Sequence, residues 1–196
     1  MNRRLLSFSA TTLFLSTMVF GQNPVTADSP FQVRYATNMG TGGAKVNITN
    51  TGASGGNICV NVYAFSPDEQ LVSCCTCSVT PDGLSSIAVR NSLTSDTLTG
   101  VVPTSIVMKL VSSSGGTCNA ATVNSLATGM LAWGTTIHAL PVTPGSPATT
   151  YGVTETAFMP STLSAIELSR ITSLCGFIQA DGSGAGICAG CTVGGQ

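Results

Sequence analysis

Charge is the scarcest resource in this sequence. Asp, Glu, Lys and Arg make up 8% of its 196 residues, against roughly 25% in ordinary globular domains. Seven basic residues form no stripe able to neutralise a phosphate backbone, which argues against nucleic acid as a partner. The eight acids form no cluster able to fill a cation's oxygen shell. Histidine is nearly absent too. His138 stands alone, so His-rich metal sites are excluded and any Ser-His-Asp triad has one available base. Aromatic residues are only 6%, and a folded core needs most of them. The one long apolar run, Leu5 to Phe20, is too short and too diluted by Ser and Thr to span a bilayer. Neither an internal repeat nor a dividing linker interrupts the chain.

That run does have the make-up of an export signal. Met1-Asn2-Arg3-Arg4 is a positive start, and small residues follow the apolar stretch at Gly21 and Ala27. Cleavage is expected after one of these two, giving a signal peptide at 1–27 and a single secreted domain at 28–196. Arg3-Arg4 also fits the twin-arginine route, which carries folded proteins. Eight cysteines cannot pair in a reducing cytosol before transport, so the unfolded route suits the chain better. Losing Arg3 and Arg4 leaves five basic residues against eight acids, a net charge of about −3. Ser, Thr, Asn and Gly must then cover the surface, and such a surface resists close packing only weakly. About 170 residues remain, enough for one domain with a core of its own.

Period-two alternation runs through most of the mature chain, the signature of strands. Strands are expected at Phe31–Tyr35, Ala44–Thr49, Ile58–Phe65, Gln70–Cys74, Leu84–Val89, Ser105–Val111, Leu131–Leu140 and Tyr151–Phe158. Asn38 to Gly43, Ser66-Pro-Asp-Glu and Thr80-Pro-Asp-Gly83 read as turns. After Pro160, Ser161 or Thr162 can cap a helix running to about Cys175, with Leu163, Ile166, Ile171 and Leu174 on its apolar face. The expectation is an all-β fold, an antiparallel Ig-like β-sandwich of about eight or nine strands with one short C-terminal helix. The Gly-rich tail from Gly182 must be tied down by Cys188 and Cys191 to be ordered.

Cysteines are the sharpest feature: Cys59, Cys74, Cys75, Cys77, Cys118, Cys175, Cys188 and Cys191. All lie beyond the signal, where disulfides are the default. Neighbours on a strand point to opposite faces, so Cys74 and Cys75 can serve two different bridges. Eight cysteines allow 105 pairings, and spacing does not choose among them. Two alternatives remain open. Four sulfurs from Cys74, Cys75, Cys77, Cys188 and Cys191 can bind Zn²⁺ tetrahedrally at about 2.3 Å. Cys188-Ala-Gly-Cys191 also has redox-pair spacing, although no helix follows to lower a thiol's pKa.

Other motifs have plainer readings. Gly52-Ala-Ser54-Gly-Gly56 spells a nucleophile elbow, but a strand rather than a helix follows it, so a Gly-rich hairpin loop is expected. His138, near Trp133 in an apolar strand, reads as a packed or edge residue. Asp68-Glu69 and the pair Glu155 and Glu167 are the only carboxylates placed for glycosidic chemistry. A turn accounts for the first pair and a helix start for one of the second. Asn47-Ile-Thr49 fits a glycosylation sequon. Gly182-Ser-Gly-Ala-Gly186 follows no strand and precedes no helix, so it is no phosphate loop.

The segments ICVNVYAFSPDEQLVSCCTCSVTPDGL and GFIQADGSGAGICAGC resemble a group of uncharacterised, exported, cysteine-containing proteins of acidobacteria-like bacteria. The likeness extends over most of the mature region and implies no catalytic residues, because the group has no established activity. In shape the architecture also resembles the Ig-like sandwiches of bacterial pilins and adhesins, without their usual single disulfide.

These readings converge on a secreted, non-enzymatic structural or cell-surface protein of the extracellular matrix, with no cofactor and no metal. An extracellular carbohydrate- or protein-binding module is the alternative, with Tyr63, Trp133 and Tyr151 as a sugar-stacking platform. Expected partners are further copies of the chain, a cell surface or a glycan. No membrane span is expected once the signal is removed. The segment Ser29 to Met39, with Phe31, Val33 and Tyr35 on one face, either completes its own sheet or fills a neighbour's open edge.

Overall fold

β-Branched and aromatic residues alternating with small polar ones build ten strands. They are β1 (Phe31–Ala36), β2 (Lys45–Asn50), β3 (Ile58–Phe65), β4 (Leu71–Val79), β5 (Leu84–Ala88), β6 (Ile106–Ser114), β7 (Met130–Ala139), β8 (Tyr151–Ala157), β9 (Met159–Pro160) and β10 (Thr192–Val193). A π-helical turn (Val89–Leu93) follows β5, and a single helix, α1 (Ala165–Asp181), precedes β10. The computed structural model describes residues 29–39, 44–140 and 150–193. The expected signal peptide and most of the turn at 38–43 lie outside these residues.

Two five-stranded antiparallel sheets result, one in the order β4-β3-β6-β1-β9 and the other β10-β5-β2-β7-β8. The expected antiparallel sandwich with one C-terminal helix is what forms. β2 pairs with β5 in one sheet and β3 with β6 in the other, so the chain crosses between the sheets from β2 to β3 and again from β5 to β6. The first strand, β1, lies beside β6, in the sheet opposite β2.

The core lies between the sheets. Val60 and Val62 of β3, Met108 and Leu110 of β6, Val46 and Ile48 of β2, and Met130 of β7 are fully buried there. Each such side chain contributes about 1.5–3 kcal/mol of burial. A second apolar cluster lies on the other face of the first sheet, where Tyr63, Phe65 and Val111 meet Ile171, Cys175 and Ile178 of α1. The first sheet is therefore covered on both faces, and all eight residues of β3 are buried.

The helix departs from expectation at both ends. Ser164 rather than Ser161 or Thr162 is its cap, accepting a 3.1 Å hydrogen bond from the Glu167 amide. Ser164-Ala-Ile-Glu167 is a capping-box spacing, which outcompetes the earlier hydroxyls. At its far end α1 continues to Asp181 and stops at Gly182, whose φ of 68° is the left-handed conformation glycine tolerates best. Its buried stripe is Ile171, Cys175 and Ile178, whereas Ile166 is 83% exposed.

Candidate functional site

All eight cysteines are paired, as Cys59–Cys118, Cys74–Cys175, Cys75–Cys188 and Cys77–Cys191. Their Cα atoms lie 5.4–5.9 Å apart, the ordinary span of a disulfide. The sulfurs expected as a Zn²⁺ alternative are thus taken up in pairs. Among the described residues no group of His, Cys, Asp and Glu is arranged to hold a metal ion. Disulfides likewise replace the redox-pair alternative, because Cys188 and Cys191 bond to β4 and not to each other.

Three of the four bridges start on β4. Strand alternation sends Cys74 outward to α1, while Cys75 and Cys77 face the sandwich core and bind the tail. The tail then closes the free edge. The Cys74 amide donates to the Gly186 carbonyl at 2.8 Å, and the Cys188 amide donates back to the Cys74 carbonyl at 3.2 Å. A few residues later β10 pairs with β5, the edge of the other sheet. Cys59–Cys118 secures the loop after β6 over the outer face of the first sheet. There the Tyr63 hydroxyl donates to the Ala120 carbonyl at 2.7 Å, and burial pushes its pKa well up.

The expected reactive residues do not converge. Ser54 lies exposed in the loop between β2 and β3, which crosses from one sheet to the other and is not the hairpin expected. The His138 ring lies over its cross-strand partner Gly152, where an added Cβ would come within 2.6 Å of Nε2. Asp68 accepts a hydrogen bond from Ser66 Oγ, which holds its exposed carboxyl below the usual range. Glu155 is exposed on β8, whereas Glu167 sits in the first turn of α1 and pairs with Lys109 of β6. Asn47 is in mid-strand, its side-chain oxygen accepting from Ser86 Oγ at 2.6 Å. Gly182 to Gly186 forms the turn that returns the chain from α1 to the β4 edge.

Nor does the aromatic platform assemble. Tyr63 is wholly buried, Trp133 half-buried and Tyr151 55% exposed. Trp133 and Tyr151 share the outer face of the second sheet, but the pairings Trp133↔Ala157 and Ala139↔Tyr151 put them at opposite ends of the β7–β8 ladder. An apolar groove of about 490 Å³ lies beside α1, where Leu174 and Phe177 face Leu71 and Leu98.

The first strand stays in its own sheet, paired with β6 over six residues and with β9 over two. Phe31 and Val33 pack beneath the α1 layer, and Tyr35 is 61% exposed. The alternate residues face the gap between the sheets, a signal that reading only the apolar face overlooks. Gln32 donates to the Met130 carbonyl at 2.8 Å, and Arg34 Nη2 donates to Thr136 Oγ1 at 2.7 Å. Arg34 is 7% exposed, its guanidinium 6.0 Å from the centre of the Phe158 ring. Burial lowers its pKa from the ordinary value, and no carboxylate pairs with it among the described residues. Lys109 and Arg170 by contrast share Glu167.

Comparison with protein-family models, curated proteins and solved structures finds no match to this chain.

Proposed function

We propose that this protein is an extracytoplasmic, non-enzymatic structural component of a cell surface or extracellular matrix. The observation that carries the reading is the pairing of every cysteine, with three bridges concentrated on β4. Disulfides persist in oxidising compartments and are rare where glutathione keeps thiols reduced. Bridging an edge strand to a helix and a tail yields a shell that resists unfolding and proteolysis, the property a surface component needs. Sparse charge supports the same reading, because weakly charged surfaces pack closely against one another. Among the described residues no helix is long and apolar enough to cross a membrane.

A second reading, an adhesin-like module that captures a protein strand, is favoured by β8. Among the described residues β8 pairs only with β7, and Tyr151 and Val153 are exposed on it. An unpaired strand edge is a template for strand addition. Assembly through β1, in contrast, has to exchange a strand that is already paired on both sides.

Immunogold electron microscopy of host cells, with parallel fractionation of medium, envelope and cytosol, tests the first reading. A periodic or continuous surface label with no free thiols by mass spectrometry is expected. A cytosolic pool carrying eight free thiols overturns it.

A further inference from the structure

Taking a guanidinium out of water without a counter-charge is costly, and proteins keep such groups paired. Arg34 breaks that rule. Its Nε and Nη1 are buried with no hydrogen-bond partner, and Thr136 Oγ1 satisfies only Nη2. Two residues away on the same face of β1, Gln32 Oε1 is likewise buried and unpartnered. The space holding the guanidinium comes from Gly134 of β7, where an added Cβ would lie 2.1 Å from Arg34 Nη1. Arg34 also lines a cavity of about 430 Å³ that opens between the β1–β9 edge and the β7–β8 hairpin. Ala157, Met159 and Pro160 give this cavity an apolar wall, and Thr136, Thr156 and Ser161 give it hydroxyls. No acid lines it. A lone buried cation, hydroxyl donors and an apolar wall together suit one chemical class.

We propose that the cavity beside Arg34 binds a small organic carboxylate with an apolar tail. The carboxylate supplies the counter-charge that Arg34 lacks, in a charge-assisted hydrogen bond that the surrounding low dielectric strengthens. The neighbouring hydroxyls satisfy its remaining lone pairs, and the tail lies along Met159 and Pro160. Because the buried nitrogens are covered, entry involves a small displacement of the short β9 pairing, which is only two residues long.

The test is a thermal-shift series on the oxidised protein with formate, acetate, butyrate, hexanoate and sulfate, each against sodium chloride of equal ionic strength. Stabilisation is expected to exceed the chloride control and to grow with the tail. Affinity should rise about fourfold for each methylene that reaches the apolar wall, the equivalent of about 0.8 kcal/mol per buried methylene. Arg34→Met replaces the charge by an apolar chain of similar length and should abolish the response while the fold is kept. If Arg34→Met does not fold, the Arg34 Nε–H resonance of the wild-type protein decides: a saturable shift on adding hexanoate supports the site. The proposal is overturned by any of four results: no stabilisation beyond chloride, the same stabilisation in folded Arg34→Met, equal responses to sulfate and to every carboxylate, or an unmoved Nε–H resonance.

Discussion

The two sides of this sandwich solve one problem, how to close the gap between the sheets, by different chemistry. On the β4–β5 side the tail runs along one edge, pairs with the other, and is bonded to β4 at Cys75 and Cys77. On the opposite side no disulfide is present. There the chain closes the gap by passing from β8 in one sheet to β9 in the other, with Phe158 buried between. Polar groups line this second seam: Gln32, Arg34 and Thr136 where the first side has valines and sulfurs. Covalent closure makes the first side indifferent to weak packing. Closure by hydrogen bonds and one aromatic ring leaves the second side able to open and to admit a guest. Stability and adaptability are thus separated within one small domain.

The largest effect is expected from the covalent side. Replacing Cys74 and Cys175 together by serine removes a bridge that closes a separation of 101 residues. It should cost roughly 2–5 kcal/mol, read as a lower urea midpoint. Hydrogen exchange should accelerate in α1 and β4 and change far less in β7 and β8. Equal acceleration on both sides breaks the contrast.

A smaller loss is expected on the open side. Gly134→Ala places a methyl where the Arg34 guanidinium now lies, and overpacking of that kind costs about 1–3 kcal/mol. Arg34→Ala should relieve most of the penalty in a double-mutant cycle. Strictly additive effects in urea unfolding show that the guanidinium does not occupy this notch.

The smallest effect concerns Tyr63, beneath the loop held by Cys59–Cys118. Tyr63→Phe leaves the Ala120 carbonyl without its donor and should cost about 1–2 kcal/mol at neutral pH. Burial raises the phenol's pKa in the folded state, so the unfolded chain loses this proton first. The contribution is complete below pH about 10 and declines above it by about 1.4 kcal/mol per pH unit. Urea midpoints at pH 9, 10 and 11 should fall in the wild-type protein and flatten in Tyr63→Phe. Parallel slopes in the two proteins rule out Tyr63 as the source.

Local pattern made much of the fold legible. Ile58–Phe65 is a strand over its whole expected length, and Thr80-Pro-Asp-Gly83 forms its turn, with the Gly83 amide donating to the Thr80 carbonyl at 2.9 Å. β4 runs five residues beyond the expected Gln70–Cys74 limit because cysteines bonded to distant segments continue the strand without apolar alternation. The two-residue strands β9 and β10 carry no periodic signal at all. The seam at Arg34 was hidden for a different reason. Phe31-Gln-Val-Arg-Tyr displays an obvious apolar face, yet it is the polar one that points between the sheets.

Composition and period two were therefore sufficient to determine a strand-built, weakly charged chain, because those properties depend on each residue and its nearest neighbours. Tertiary structure alone decided which cysteines meet, which face of β1 turns inward, and where a charge is left without a partner. Those outcomes depend on contacts between residues about 60 to 115 positions apart in sequence, which no local period encodes.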